Sequence, residues 1–399
     1  MKKKILLLSQ LYPYPPVSGG RIKTLNTIKC LAKEYNIYAI FISEEIPTKK
    51  DISKLTKLGI KVKVFYSKTI LASVKDDLAN LIKNYMKGIS HYVFQYTHKP
   101  AFSYINHAIA KFKPDIIHVD HLNLAQYLPK EKKQIWILEH HNVESYLLWT
   151  RFVHTSKLTR KFYLFLETFI TFFYEFRTLR KFDHIFTISE PENARLKKLF
   201  FVKNCSPQPL FYRTSPIKPI PHKNYNLVFI GTLGWPPNED AIEWFSKSIY
   251  PKIFKEFPNT TLHIIGKPGI RYNPDGKKNV VLHGFLKNFK PVFAKADVFI
   301  APFRMGGGLR LKCMTALASG IPLVTTPLGI EGIMAKNNKE CLIGRNSKEF
   351  AWAVIRLLKS SKLRDKLRKN AIKFIKEKHG QEQNKKFLNF YKKLTEKNY

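Results

Sequence analysis

Long apolar runs are missing from this sequence. No stretch approaches the ~20 residues that a helix needs to cross a bilayer, so no α-helical membrane span is expected. Cysteine is scarce: Cys30, Cys205, Cys313 and Cys341 lie far apart. No pair has zinc or redox spacing, which points to a reduced, cytoplasmic protein. Acidic side chains are also few, 29 Asp and Glu against 69 Lys and Arg, which leaves a net charge of +40. Charge of that size fits nucleic acid, an anionic membrane face or phosphorylated substrates. It also fits a genome whose base composition favours lysine. The cations are spread along the chain with no block of five or more, which favours a generally positive surface over a basic tail. No nucleic-acid-reading module or aromatic stacking signature accompanies them, so no specific nucleic-acid partner is expected. The N-terminus, MKKKILLLSQLYPYPP, imitates a signal peptide. Its apolar core is only Ile5–Leu8 and no small-residue cleavage site follows, so it reads as a first buried strand.

What the chain does have is one organising stretch, APFRMGGGLRLKCMTALASGIPLVTTPLGIEGI, from Ala301 to Ile333. The apolar run Val298–Pro302 reads as a strand, and Gly306, Gly307 and Gly308 open a loop after it. Leu311, Met314, Leu317 and Ala318 then recur at helical spacing. Gly320 and Pro322 end the helix, and Ile321–Thr326 reads as the next strand. Ligands of open α/β sheets bind at such a loop. Arg310 and Lys312 fall in the first turn of this helix. There the helix dipole makes each cation cost ~0.3–1 kcal/mol. Bare glycine N–H groups and two cations suit a phosphate; an exposed basic turn in a basic protein is the plainer alternative.

The same strand, glycine loop, helix pattern occurs twice more. Ile5–Ser9 leads through Gly19 and Gly20 into a helix with Ile22, Leu25, Ile28 and Leu31 on one face. Leu227–Gly231 leads through GTLGWPPNEDAIEWF into a helix that Asn238 is expected to cap. Ile116–Asp120 is a strand with His118, Asp120 and His121 at its carboxyl end, and the strand Gln134–Leu138 runs into Glu139, His140, His141, Asn142 and Glu144. Neither cluster has ligand spacing that specifies a metal. Residues 157–182 form an aromatic-rich helical stretch with basic ends, either a core helix or one lying on a membrane surface. Residues 205–226, rich in proline, read as a linker between two domains, 1–204 and 227–380, with a final helix over 381–399 packing back on the first. The fold class expected is α/β, with two doubly wound Rossmann-like domains facing a cleft.

The central stretch resembles the donor-binding signature of family-4 glycosyltransferases, which have the GT-B fold. Gly306–Gly308, Arg310, Lys312, Ala316, Gly320, Pro322 and Val324 carry the match. Thr315 departs from it, standing where the family has a ribose-binding glutamate. The resemblance implies transfer of a sugar, with retention, from a nucleoside-diphosphate donor to a glycan or lipid-linked acceptor in polysaccharide assembly. It implies a catalytic set of Asp120, His121, Arg310 and Lys312. Donor binding would fall to Gly19, Gly20, Thr232, Gly234, Gly284, Phe285, Gly306, Gly307, Gly308 and Thr315, with Glu331 in partial compensation. His140, His141, Asn142 and Glu144 would lie on the acceptor side. No Asp-x-Asp pair occurs, so no metal is expected at the diphosphate and no cofactor beyond the donor. The charge and the aromatic helix suggest an anionic membrane surface as partner, placing the protein at the inner membrane face. Thr315 leaves open a second class, a non-catalytic GT-B protein that binds a nucleotide sugar or a partner.

Overall fold

The computed structural model describes residues 2–396 apart from 17, 68–77, 154, 156, 209–210, 270–278 and 307–308. The chain forms two compact units, Met1–Leu210 with Asn384–Tyr399, and Phe211–Gln383. Both are Rossmann-like α/β units.

The first unit holds a parallel sheet of seven strands in the order β3-β2-β1-β4-β5-β6-β7. They are β1 (Lys4–Ser9), β2 (Asn36–Ser43), β3 (Lys61–Tyr66), β4 (Ile116–Asp120), β5 (Ile135–His140), β6 (His184–Thr187) and β7 (Cys205–Pro207). A parallel sheet covered on both faces needs apolar residues at every position, and KILLLS in β1 provides them. Ile5 and Leu7 enter one core with Ile28 and Leu31 of the first helix, Gly19–Leu31. Leu6 and Leu8 enter the other, with Ala101 and Ile105 of the helix Lys99–Phe112. The last helix, Gln381–Glu396, brings Phe387 and Tyr391 back to the first core. There Phe387 meets Phe186 of β6 at a centroid distance of 5.1 Å.

The second unit holds six parallel strands in the order β10-β9-β8-β11-β12-β13. They are β8 (Tyr225–Ile230), β9 (Thr260–Ile265), β10 (Val280–Leu282), β11 (Val298–Ala301), β12 (Leu323–Thr325) and β13 (Leu342–Ile343). The helix Leu311–Ser319 ends at Gly320, whose φ of 72° is the left-handed cap that glycine adopts freely.

Several local expectations change. Cys205–Pro207 is an edge strand paired with β6, so the stretch read as linker begins inside the first sheet. Gly19 and Gly20 open the first helix rather than a loop before it. Asn238 does not cap its helix, which runs Pro236–Trp244 with Trp235 at the cap. Within Leu158–Thr178, Leu164 is buried and Phe172 packs half-buried against the first unit's core, while Phe165, Phe169, Phe173 and Phe176 are exposed, so the core-helix alternative holds for one side of the helix only.

Phe387→Ala should cost ~3–5 kcal/mol, as buried aromatic truncations do. Urea unfolding followed by far-UV circular dichroism measures it; a loss under ~1 kcal/mol would mean the last helix is not part of the first unit's core.

Candidate active site

In each sheet one pair of neighbouring strands has its connections running to opposite sides, and the carboxyl ends there form the crevice where α/β proteins bind ligands. In the first unit the pair is β1 and β4, which end opposite each other at Ser9 and Asp120. Asp120 is fully buried. Its Oδ2 accepts from Ser9 Oγ and from Thr24 Oγ1 of the first helix, each at 2.7 Å. Its Oδ1 accepts from His141 Nε2 at 2.6 Å. His121 donates from Nδ1 to the Asp120 carbonyl at 2.6 Å and stacks on His141 at 3.8 Å. Burial alone would raise the Asp120 carboxyl. His121 and His141, with the bonds from His141 and Ser9, override that and hold it well below the usual carboxylate range. Burial, then His141, pushes His121 down to about 4. A neutral His121 whose Nδ1 carries the proton keeps Nε2 as an acceptor. His121 has φ 93°, a conformation that non-glycine residues rarely hold and that clusters at functional sites.

A second carboxylate lies beside the first. Glu139 on β5 is in register with Asp120 and is also buried. Lys23 Nζ meets it at 2.6 Å, with side-chain exposures of 6% and 1%. Thr27 Oγ1 donates to it at 2.9 Å, and His118 Nε2 stands 3.2 Å away. Tyr391 of the last helix bonds His118 Nδ1. Burial would raise Glu139; Lys23, then His118, outweigh it and hold it at about 2. Lys23, Thr24, Thr27 and Tyr391 were missed from sequence, and Glu139 was read only as one of a polar cluster, with no role. The signal was present: Lys23, Thr24 and Thr27 share one helical face.

The expected acceptor-side residues divide. His141 joins Asp120. His140 lies 3.6 Å from Glu175, and Glu144 donates its backbone N–H to Glu175. Asn142 donates to Glu144 at 3.3 Å. Burial, then Glu175, pushes the Glu144 carboxyl up to about 8. Sequence spacing gave the histidines no matched carboxylate, but the fold supplies one. Asp120, His121 and His141 offer ligand atoms within 4.8 Å of one another. The 2.6 Å between His141 and Asp120 is nevertheless a hydrogen bond. Two ligands at ~2.0–2.2 Å from one tetrahedral metal would stand farther apart.

In the second unit the corresponding pair is β8 and β11. Gly231 follows β8, and a Cβ there would meet Lys312 Nζ at 2.6 Å and Asn238 at 2.9 Å. A Cβ at Gly266 would meet the Gly231 carbonyl at 2.2 Å. Gly266 in turn donates to the Gly284 carbonyl at 2.8 Å. Glycine is therefore required where these strand ends close up. Lys312, in the first turn of the helix Leu311–Ser319, donates to Asn238 Oδ1 and lies 5.3 Å from the Phe229 ring and 5.2 Å from Phe303. Asn238 Nδ2 donates to the Thr232 carbonyl at 2.7 Å. Burial, aided by Arg310, pushes Lys312 down to about 7. Arg310 is the cap residue of the same helix, is buried, and donates to the Gly306 carbonyl at 2.8 Å. Gly307 and Gly308 lie outside the described residues. Gly234 has open space around it, Phe285 is exposed, and Glu331 is half-buried in the turns after β12.

Thr315 is already engaged. Its Oγ1 donates to the Leu311 carbonyl at 2.8 Å and pairs with the Tyr212 hydroxyl at 2.5 Å. Tyr212 was not foreseen; it comes from the proline-rich stretch read as linker.

Two parallel-sheet Rossmann-like units, of seven and six strands, define the GT-B fold class. Residues 224–360 match the family model of glycosyl transferases group 1. The fold is shared with a sucrose-phosphate synthase from Thermosynechococcus elongatus, at TM-score 0.72 and 13% identity over 98% of this chain and 99% of that one. It is shared also with HepE of Anabaena, solved with UDP, at TM-score 0.64 and 13% identity over 98% and 100%. In sequence, the chain is 22% identical over 94% of its length, and 96% of the relative's, to an uncharacterised 44.6 kDa protein of the Klebsiella pneumoniae cps region.

Two stability effects test this geometry. Lys23→Met leaves Glu139 buried without its cation and should cost ~3–5 kcal/mol, read from the urea midpoint. The Lys312 value of about 7 lies below 10.5, its ordinary value. Between these the unfolded chain binds the extra proton, so the cost of burying the charge is full below pH 7 and fades above it. Lys312→Met should therefore raise the melting temperature at pH 6 and raise it less at pH 9.5. An equal shift at both would contradict the desolvated amine.

Proposed function

We propose that this protein is a retaining glycosyltransferase of the family-4 type. It would move a sugar from a nucleoside diphosphate to a glycan or lipid-linked acceptor, in surface-polysaccharide assembly at the inner membrane face. The observation that carries this is the placing of Lys312. An ammonium group costs stability when desolvated, and more so at the positive end of a helix. A diphosphate at the carboxyl ends of β8 and β11 would reverse both costs. The likeness to group 1 glycosyl transferases over 224–360 supports the same reading, as does a relative from a cps region.

Each unit supplies its own part of the chemistry. As the bond from sugar to diphosphate breaks, negative charge grows on the leaving phosphate. Lys312 and Arg310, with N–H groups of the Gly306 loop, supply the opposing charge without a metal. In the first unit Asp120 stays ionised and fixes His141, and Nε2 of neutral His121 accepts a hydrogen bond from a sugar hydroxyl. Arg310 already holds the Gly306 loop through its carbonyl, so it also shapes the phosphate cradle.

One observation favours a second reading. The Thr315 hydroxyl, expected at the ribose, is taken by Tyr212 and Leu311. A protein that binds a nucleotide sugar without turnover would tolerate that.

A screen of UDP-, GDP- and dTDP-sugars by mass spectrometry separates the two. The first reading expects consumption of one donor class. It further expects Asp120→Asn to slow turnover about a hundredfold or more, with nucleotide affinity by calorimetry unchanged. Nucleotide binding without any donor consumption would establish the second reading. Absence of both would end the first.

A further inference from the structure

The helix Leu158–Thr178 is turned the opposite way to an ordinary amphipathic helix. Its buried positions are Leu164, Glu167, Thr171, Glu175 and Thr178. Its other stripe carries Phe162, Phe165, Phe169, Phe173 and Phe176, between 36% and 67% exposed. Both sets repeat at spacings of three and four, so each is one face of the helix. The side with both glutamates faces the protein, together with Leu164 and the half-buried Phe172 and Tyr174, and the stripe of five phenylalanines faces out.

The buried carboxylates explain what holds it so. Glu167 accepts from the Tyr85 hydroxyl and from the backbone N–H groups of His91 and Tyr92, where the short helix His91–Phe94 begins. Glu175 accepts from the N–H groups of Glu144 and Ser145, which open the helix Glu144–Val153, and from the Ser145 hydroxyl. Both carboxylates satisfy N–H groups that have no partner inside their own helix. Rotating the long helix to bury its phenylalanines would strip both helix starts and expose two uncapped N-termini.

The aromatic face is continuous and edged with cations. Phe152 of the preceding helix meets Phe165 at 6.0 Å, and Phe165 meets Phe169 at 5.1 Å. Trp149 stands 5.0 Å from Phe152 and is 44% exposed. Lys157, Arg160 and Lys161 lie at one end, Arg177, Arg180 and Lys181 at the other. The Arg180 guanidinium covers the Phe176 ring at 3.6 Å. The only acids between Leu158 and Thr178 are Glu167 and Glu175, both buried, so the outer face carries none. A second copy of a chain with charge +40 would bring cation against cation there. An anionic surface would not.

We propose that this face is a docking surface for an anionic lipid bilayer. The helix lies in the plane of the membrane with its phenylalanines at the acyl boundary and its terminal cations among the headgroups. This gives a surface to the membrane-side role proposed above. The adsorption itself does not depend on the reaction, so it is tested without any sugar donor.

The experiment is flotation of the full chain with vesicles of phosphatidylglycerol and phosphatidylcholine, against phosphatidylcholine alone. Wild type should float with the anionic vesicles at low salt, and less so as salt screens the cations. The triple variant Phe165→Ser/Phe169→Ser/Phe173→Ser should bind at least about tenfold more weakly, because each aromatic buried in the bilayer contributes to affinity, with its circular dichroism and its nucleotide affinity unchanged. A measurement on the unaltered face guards against misfolding of that variant. Brominated anionic lipid should quench wild-type tryptophan fluorescence, and Trp149→Phe should remove most of the quench. Wild type left in the soluble fraction at low salt would overturn the proposal. So would a triple variant that floats as well as wild type, or a wild-type dimer that the triple substitution splits while neither form binds lipid. Loss of flotation with donor turnover intact would separate this surface from the catalytic reading.

Discussion

Two carboxylates brought side by side by strand register, Asp120 and Glu139, set the terms for the first unit. Both are buried and both are held below the ordinary carboxylate range. Like charges in a low-dielectric interior repel, and each alone would take up a proton. The surroundings are arranged against that. The first helix turns Lys23, Thr24 and Thr27 inward, where a purely structural helix would place aliphatic residues. His141 and His121 close on Asp120, and His118 stands beside Glu139. The last helix returns across the chain's length so that Tyr391 can bond His118. A network of this kind is costly unless every member is paired, which gives the fold a reason to be specific at this end of the sheet.

The second unit meets its constraint with one sign of charge. Here a half-buried ammonium has an amide oxygen for a partner, and two glycines, Gly231 and Gly266, let the strand ends approach until Lys312 and Asn238 fill the remaining space. The cations there are under-neutralised, as the proposed diphosphate would require. The folded state gives up some stability to keep them so, a trade common at functional sites. The Tyr212–Thr315 pair belongs to this balance. The Tyr212 hydroxyl satisfies the Thr315 hydroxyl from outside the helix.

The aromatic helix shows the same logic at a surface. Its inner face serves capping as well as packing: two carboxylates serve the starts of two other helices, beside Leu164 and Phe172. Five phenylalanines of that helix are left to face outward, between two groups of cations.

Much of the fold was legible in the sequence. β1, β4 and β11 are apolar runs too short for core helices, and glycines or prolines end the elements between them, so the repeated βα units could be read in order. The placing of Asp120, His121, Arg310 and Lys312 was also legible, because strand ends and helix starts could be located in the sequence. Periodicity, however, reports that a helix has two faces and not which one meets the core. The phenylalanine stripe and the Glu167–Thr171–Glu175 stripe have the same period, and only the positions of the helix starts they cap decide between them. Lys23, Glu139 and Tyr391 are separated by most of the chain, and pairing at that distance is fixed by strand order alone. The same holds for Tyr212 and Thr315. Sequence determined the elements and the residue types at their ends; tertiary structure decided which buried charge meets which partner, because those contacts depend on register and topology that no local pattern encodes.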